Sequence, residues 1–170
     1  MEKRKNAVTM KGNPLTLLGQ PIKVGDKAPD FTVLSTALAP VKLSDTNGKV
    51  RIISVVPSID TPVCDLQTRR FNEEAGKIGG VVVLSISVDL PFALAKYCAA
   101  QGIENIQTLS DHKDLDFGLR YGFAIEELRL LSRGIVIVDK EGVVRYTEYV
   151  PEISEQPDYD KALEAAKKLV

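Results

Sequence analysis

The residues with the clearest chemical potential lie at positions 57–64, which read Pro-Ser-Ile-Asp-Thr-Pro-Val-Cys. Thr61 is a typical helix N-cap, and Pro62 suits the first helical position because its missing N–H would be unpaired there. Cys64 therefore falls in the first turn of a predicted helix. Unpaired N–H groups and the positive end of the helix dipole favour an anion at that place, so Cys64 is a candidate thiolate nucleophile.

A thiolate at Cys64 would need a cation nearby. Asp60 and Asp65 flank the motif, and neighbouring carboxylates disfavour a second negative charge. Three arginines could supply the positive charge, two from the same helix and one from a neighbouring strand: Arg69, Arg70 and Arg133. The residues alone do not choose among them.

Each candidate also has an ordinary structural interpretation. A cysteine in a helical pattern is often an inert small hydrophobe, and Cys98 has apolar neighbours at helical spacing that would suit a core position. Thr61 could be only a cap. Arg133 could be a strand-edge charge paired with a carboxylate.

Composition describes an ordinary globular protein. The chain has 170 residues, 44% hydrophobic and 26% charged, with a net charge of -1, which predicts one domain over 1–170 and no nucleic-acid partner. The basic start lacks an apolar segment after it, and no apolar run is long enough to span a membrane. We therefore expect a cytoplasmic protein without a membrane anchor.

The cysteines and the single histidine limit the metal chemistry that is expected. Cys64 and Cys98 are too far apart in sequence to form a C-x-x-C pair, and in a reducing compartment two such cysteines are redox-active or buried more often than permanently bonded. His112 lies between a predicted strand and helix, where a solvated position is expected. One histidine and two cysteines are too few for a structural zinc site, which usually takes four protein ligands. The sequence also lacks the common nucleotide-binding and zinc-hydrolase motifs.

The elements that must position Cys64 follow from apolar patterning. Residues 51–56 are rich in β-branched side chains and end at a proline, which predicts a strand buried on both faces. Further strands are predicted at 7–10 and 15–18, as a β-hairpin, and at 31–34, 41–43, 81–87, 106–109, 134–138 and 143–150. Helical patterns cover 65–78, which the cap signals extend back to Pro62, and 91–101, 115–121 and 159–170. This order predicts an α/β fold with a central mixed sheet, helices on both faces and mixed strand direction at one edge.

The motif Pro57-x-x-x-Thr61-x-x-Cys64 resembles the active-site signature of the peroxiredoxins, and the string 57–64 is similar to that of their thiol peroxidase subfamily. Four other features agree with this resemblance: the N-terminal hairpin, the segment 91–98 with the second cysteine, the segment 132–139 and the tail 149–153. The resemblance covers essentially the whole chain. It implies a thioredoxin fold with an N-terminal β-hairpin extension.

The resemblance also implies a role for five residues. Cys64 would be the peroxidatic cysteine and Cys98 the resolving cysteine. Thr61 would hydrogen-bond the thiolate and the peroxide. Arg133 would be the second partner of the thiolate and would carry a positive charge, and Pro57 would shield the pocket. Because Cys64 and Cys98 lie on different predicted helices and a disulfide needs Cα atoms within about 7 Å, at least one helical turn would have to unwind.

The activity implied is that of a thiol-dependent peroxidase acting on hydrogen peroxide and organic, alkyl hydroperoxides. It would proceed through a Cys64 sulfenic acid and an intramolecular Cys64–Cys98 disulfide, with no metal or organic cofactor. Thioredoxin would be the reductant, and family members are typically homodimers. Two other interpretations compete: a redox relay between protein partners, and a non-enzymatic binding domain with two buried thiols.

Overall fold

Ten strands and four helices make up the structure, a computed structural model that describes residues 1–170. The strands are β1 (Lys3–Met10), β2 (Asn13–Leu18), β3 (Thr32–Leu34), β4 (Pro40–Lys42), β5 (Val50–Val55), β6 (Val81–Ser87), β7 (Gln107–Ser110), β8 (Ala124–Ile125), β9 (Gly134–Val138) and β10 (Val144–Tyr149). The helices are α1 (Pro62–Ala75), α2 (Pro91–Gln101), α3 (Asp116–Tyr121) and α4 (Tyr159–Lys167), and a single 3₁₀ turn covers Leu43–Thr46.

Seven strands form the central sheet in the order β10-β9-β5-β6-β7-β3-β4. Strands β5, β6 and β7 are parallel, whereas β9 and β10 on one side and β3 and β4 on the other pair antiparallel. The predicted mixed sheet is confirmed, but the strand direction is mixed at both edges, not at one. Strand β3 has only three residues, too few for periodicity to indicate its partner.

The N-terminal hairpin forms as predicted and belongs to a second, smaller sheet in the order β1-β2-β8. Lys11 and Gly12 connect its strands with φ of 50° and 83°, the positive values that a two-residue type I′ turn requires. Strand β8 was not predicted, because its two residues carry no alternation pattern. The hairpin tip lies beside the tail of the chain, where the Thr9 N–H donates to the Pro151 carbonyl at 2.7 Å.

Helices cover both faces of the central sheet, as predicted. Phe71 of α1 and residues of α4 pack with Ile52 of β5 in one core, whereas Phe117 of α3 packs with Ile53 in the other. Successive side chains of a strand point to opposite faces. Because both faces of β5 are covered, it needs apolar residues at consecutive positions. None of the four helices has the length and apolarity needed to cross a bilayer.

The helix ends show which local signals determined them. Helix α1 starts at Pro62 and α2 ends before Gly102, whose φ of 65° is left-handed; both boundaries were predicted from their cap residues. Helices α1 and α4 each end three residues before the predicted positions 78 and 170. Gly76 follows α1 directly, but its φ of −69° is right-handed, and the Ile78 N–H still donates to the Glu74 carbonyl at 3.1 Å. An irregular turn therefore continues from α1 to the predicted end, just before the glycine pair at 79 and 80.

A buried carboxylate at the start of α3 predicts a pH effect on stability. Asp111 accepts the N–H groups of Phe117 and Gly118 at 3.1 and 2.8 Å, and burial raises its pKa to about 6. The unfolded value is about 3.9, so between these values the folded protein binds more protons than the unfolded chain. The free energy of unfolding therefore falls as the pH rises through that window, by about 3 kcal/mol at most.

Asp111→Asn should remove this pH dependence. Urea unfolding of wild type and variant at several values from about pH 4 to pH 7 would measure it. The free energy of unfolding of the wild type minus that of the variant should decrease steadily with rising pH. A difference that is constant with pH would contradict the prediction.

Candidate active site

Cys64 lies in the first turn of α1, just beyond the end of the central strand β5. Its side chain is completely buried, with 0% exposure. The backbone N–H of Cys64 donates to the Thr61 hydroxyl oxygen at 3.3 Å, which makes Thr61 the predicted N-cap. The sequence thus places the sulfur at the positive end of a helix.

Arg133 is the cation beside that sulfur. Its Nη2 lies 3.0 Å from Cys64 Sγ, and the residue is only 2% exposed. Its Nε donates to the Ile153 carbonyl at 2.8 Å, and its Nη1 donates to Gln67 Oε1 at 2.9 Å. Contacts to the chain tail and to two residues of α1 fix the guanidinium plane against the sulfur.

The other two candidate arginines make different contacts. Arg69 pairs with Asp65 at 3.0 Å and Arg70 lies 3.5 Å from Asp160, and both side chains are exposed. Neither contacts Cys64.

The charge balance around Arg133 favours a thiolate. No carboxylate lies within salt-bridge distance of its guanidinium. A buried cation is costly unless an anion or several good acceptors compensate it. The Ile153 carbonyl and the Gln67 amide are neutral acceptors, so the ionised sulfur of Cys64 would be its one anionic partner.

A cavity of about 340 Å³ opens beside these residues. Its wall is formed by the hairpin tip, the loop before α1, the chain tail and the guanidinium: Met10, Lys11, Pro57, Thr61, Pro62, Val63, Arg133, Ile153 and Ser154. Cys64 lies behind this wall. Three depressions are larger. Two of them, of about 720 and 620 Å³, contain neither cysteine nor Arg133, and the third, of about 370 Å³, is lined by Cys98 but not by Arg133, so volume alone does not locate the site.

Thr61 forms part of this wall and has its hydroxyl already engaged. The hydroxyl donates to the Ser58 carbonyl at 3.3 Å while it accepts the Cys64 N–H. Rotation of the hydroxyl hydrogen away from Ser58 would direct it into the cavity without loss of the cap. Thr61 can therefore cap the helix and donate to a ligand.

Cys98 lies half-buried on α2, and both cysteines are free thiols. Its Sγ is 3.1 Å from Thr108 Oγ1 on β7, whereas Cys64 contacts the arginine that precedes β9. Three strand spacings separate β7 from β9 in the sheet, which corresponds to about 14 Å. The structure does not bring the two sulfurs together, and a disulfide between them requires the helices to move.

A hydrogen bond beside the two cysteines ties their helices together. The Tyr97 hydroxyl donates to the Asp65 carboxylate at 2.6 Å. Burial and this hydrogen bond both raise the pKa of Tyr97, so the phenol keeps its proton and remains a donor at neutral pH. The bond therefore holds the residue after Cys64 close to the residue before Cys98.

Comparison with known proteins now places the chain in a family. The family model described as Redoxin matches residues 23–163. A thiol peroxidase from Halalkalibacterium halodurans is 62% identical over 161 residues, which cover 95% of this chain and 97% of that protein. The chain is a peroxiredoxin of the thiol peroxidase subfamily.

Other relatives agree with this peroxiredoxin assignment. A thiol peroxidase from Bacillus subtilis is 58% identical over 163 residues, which cover 96% of this chain and 98% of that protein. The crystal structure of a peroxiredoxin-like protein from Aquifex aeolicus is 40% identical, with a TM-score of 0.91 over 97% of this chain and 98% of that one. The resemblance stated from the sequence and the predicted thioredoxin fold are confirmed. The protein is therefore a thiol peroxidase, an oxidoreductase.

The structure adds residues to this peroxiredoxin site that sequence reasoning missed. Gln67 is fully buried, accepts from Arg133 and donates to Ser54 Oγ at 2.8 Å. Its position three residues after Cys64 places it on the same helix face, and this spacing could have indicated it. The contribution of Ile153 is a backbone carbonyl, which no side-chain pattern reveals.

Proposed function

We propose that this peroxiredoxin reduces hydrogen peroxide and organic hydroperoxides by attack of the Cys64 thiolate on the terminal peroxide oxygen. The observation that carries the proposal is the 3.0 Å contact between Cys64 Sγ and Arg133 Nη2. A buried guanidinium with no carboxylate partner stabilises the ionised sulfur, which is the reactive form of cysteine. The attack needs no metal or organic cofactor.

The site has donors left for the substrate. A guanidinium carries five N–H groups, and Arg133 uses three of them, on Ile153, Gln67 and Cys64. The remaining two N–H groups and the Thr61 hydroxyl can hold the peroxide oxygens in line with the sulfur. They also stabilise negative charge on the leaving oxygen as the O–O bond breaks.

The attack transfers two electrons from the Cys64 sulfur. The sulfur becomes a sulfenic acid, and the distal oxygen leaves as water or an alcohol after it takes a proton. The Cys98 thiol then attacks the sulfenic acid, which releases water and forms the Cys64–Cys98 disulfide. Because a disulfide needs Cα atoms within about 7 Å, this step unwinds the first turn of α1 or part of α2. A dithiol, which we propose is that of thioredoxin, restores both thiols by exchange.

The cavity wall supports a substrate with a hydrocarbon portion. Five side chains contribute apolar surface to this wall: Met10, Pro57, Pro62, Val63 and Ile153. We assign Pro57 the role of shielding the pocket. Such a surface favours alkyl hydroperoxides, because their chains leave water when they bind. We further propose that the enzyme works as a homodimer in the cytoplasm, where its disulfide can be reduced back to two thiols.

Mass measurement after addition of one equivalent of peroxide tests the function. We expect the intact protein to lose the mass of two hydrogens, as a disulfide requires. A stable gain of one oxygen would mean that Cys98 does not resolve the sulfenic acid, and an unchanged mass would remove the peroxidase proposal. Stopped-flow mixing excludes a redox relay if the reduced protein reacts orders of magnitude faster than a free thiol. Thiol titration before and after peroxide tests the non-enzymatic alternative, which predicts that both thiols survive.

A further inference from the structure

Asp89 follows β6 and faces the loop that leads into α1. Its Oδ1 accepts the Ser58 hydroxyl at 2.7 Å, and its Oδ2 accepts the Ile59 N–H at 2.9 Å and the Ser87 hydroxyl at 2.8 Å. Hydrogen bonds to an ionised carboxylate are stronger and more directional than those between neutral groups. The carboxylate therefore joins the end of β6 to the loop before Cys64.

The loop has few other anchors. Residues 57–61 belong to no helix or strand, and Asp89 is the only residue outside this loop whose side chain hydrogen-bonds to it. The position of Ser58 consequently depends on Asp89.

Ser58 in turn positions Thr61 through its backbone carbonyl. The Ser58 carbonyl accepts both the Thr61 N–H and the Thr61 hydroxyl, each at 3.3 Å. The place of the Thr61 hydroxyl oxygen at the cavity wall is thus fixed through a chain of three residues: Asp89, Ser58 and Thr61. The bond from the Thr61 N–H remains when the hydroxyl hydrogen turns from Ser58 to a ligand.

We infer that Asp89 is a positioning residue, which holds the Thr61 hydroxyl where it can donate to a bound peroxide. The inference rests on the proposed function, in which Thr61 contacts the substrate. Asp89 itself is not among the residues of the cavity wall, so its effect must pass through the loop.

Stopped-flow oxidation of the reduced protein by hydrogen peroxide tests this inference in Asp89→Ala, Thr61→Ala and the double variant. Iodoacetamide alkylation of Cys64 serves as a second readout, since it needs the thiolate but no donor to an O–O bond. Asp89→Ala should lower the peroxide rate relative to the alkylation rate by about tenfold to a hundredfold. When Thr61 is already alanine, Asp89→Ala should lower this rate ratio by less than about twofold. The effects of the two substitutions are not additive, because both residues act through one contact.

Matched variants separate the possible results. Asp26→Ala removes an exposed carboxylate that accepts a loop N–H away from the site and should react at the wild-type rate. A wild-type peroxide rate in Asp89→Ala, or peroxide and alkylation rates that fall together, would overturn the inference. A wild-type rate in Thr61→Ala would instead overturn the role proposed for Thr61. If Asp89→Ala does not fold, Ser58→Ala removes the hydroxyl's bonds to Asp89 and to the Asp60 N–H and keeps the Ile59 N–H bond to Asp89. An unchanged rate ratio in that variant overturns the inference equally.

Discussion

Cys64→Ser is expected to lower the rate of peroxide reduction about 10⁴-fold or more, the size of loss seen when an enzyme's nucleophile is removed. Serine has nearly the same shape, so the buried position should tolerate it. Its hydroxyl does not ionise at neutral pH, however, and the guanidinium of Arg133 would then face a neutral oxygen. Stopped-flow mixing with peroxide measures the first step directly, without a reductant.

Cys98→Ser is the matched control for this prediction. It should react with the first equivalent of peroxide at the wild-type rate, because Cys98 lies on another helix and contacts Thr108 rather than the Cys64 site. The product should keep one added oxygen as a sulfenic acid, and turnover with thioredoxin should stop. Equal loss of the first step in both variants would contradict the assignment of Cys64 as the attacking cysteine.

The elements around Cys64 could be predicted because their signals are local. The cap at Thr61, the proline that follows it and the left-handed Gly102 each mark a boundary through the conformations of one or two residues. Buried strands such as β5 and β9 stand out as runs of β-branched residues. Strand β8 and the pairing of β3 with β7 were not predicted, because β8 and β3 have only two and three residues.

The choice of cation depended on strand pairing, which residue patterns do not encode. Three arginines fitted the sequence, and only the family resemblance favoured Arg133. In the structure, β9 runs antiparallel to β5 with Val55 opposite Gly134. This register places residue 133 beside the end of the strand from which the chain turns toward Cys64. Neighbouring strands are about 4.8 Å apart, so an arginine side chain reaches the sulfur easily.

The contacts that hold Arg133 could not be predicted for a related reason. Ile153 belongs to the tail of the chain, which reaches the site because it pairs with the hairpin: the Ile153 N–H donates to the Thr9 carbonyl at 2.9 Å. Glu152 strengthens this link by accepting the Gly12 N–H at 2.9 Å. Residues far apart in sequence thus build one side of the cavity, and only their packing reveals it.

Arg133→Met should slow the reaction of Cys64 with peroxide by about 10²- to 10³-fold, the range measured when a donor to a developing charge is removed. The variant loses both the charge that stabilises the thiolate and the two N–H groups that are free for the substrate. Arg69→Met is the matched control. Arg69 is an exposed arginine of α1, the helix that carries Cys64, and it does not contact the sulfur. The control should react at the wild-type rate.

The stability of Arg133→Met distinguishes catalysis from folding. Arg133→Met removes one partner of the buried pair, but the Cys64 sulfur can take up a proton, so no unpaired charge stays buried. The Ile153 carbonyl and the Gln67 amide lose their donor, at about 1–3 kcal/mol each. Urea unfolding should therefore show a loss of a few kcal/mol at most, while the peroxide rate of the folded protein falls. A rate that stays at the wild-type value, or one that falls only in proportion to the unfolded fraction, would show that the guanidinium is structural. Arg133→Lys should also be slow, because a single ammonium cannot contact Ile153, Gln67 and the sulfur in one plane.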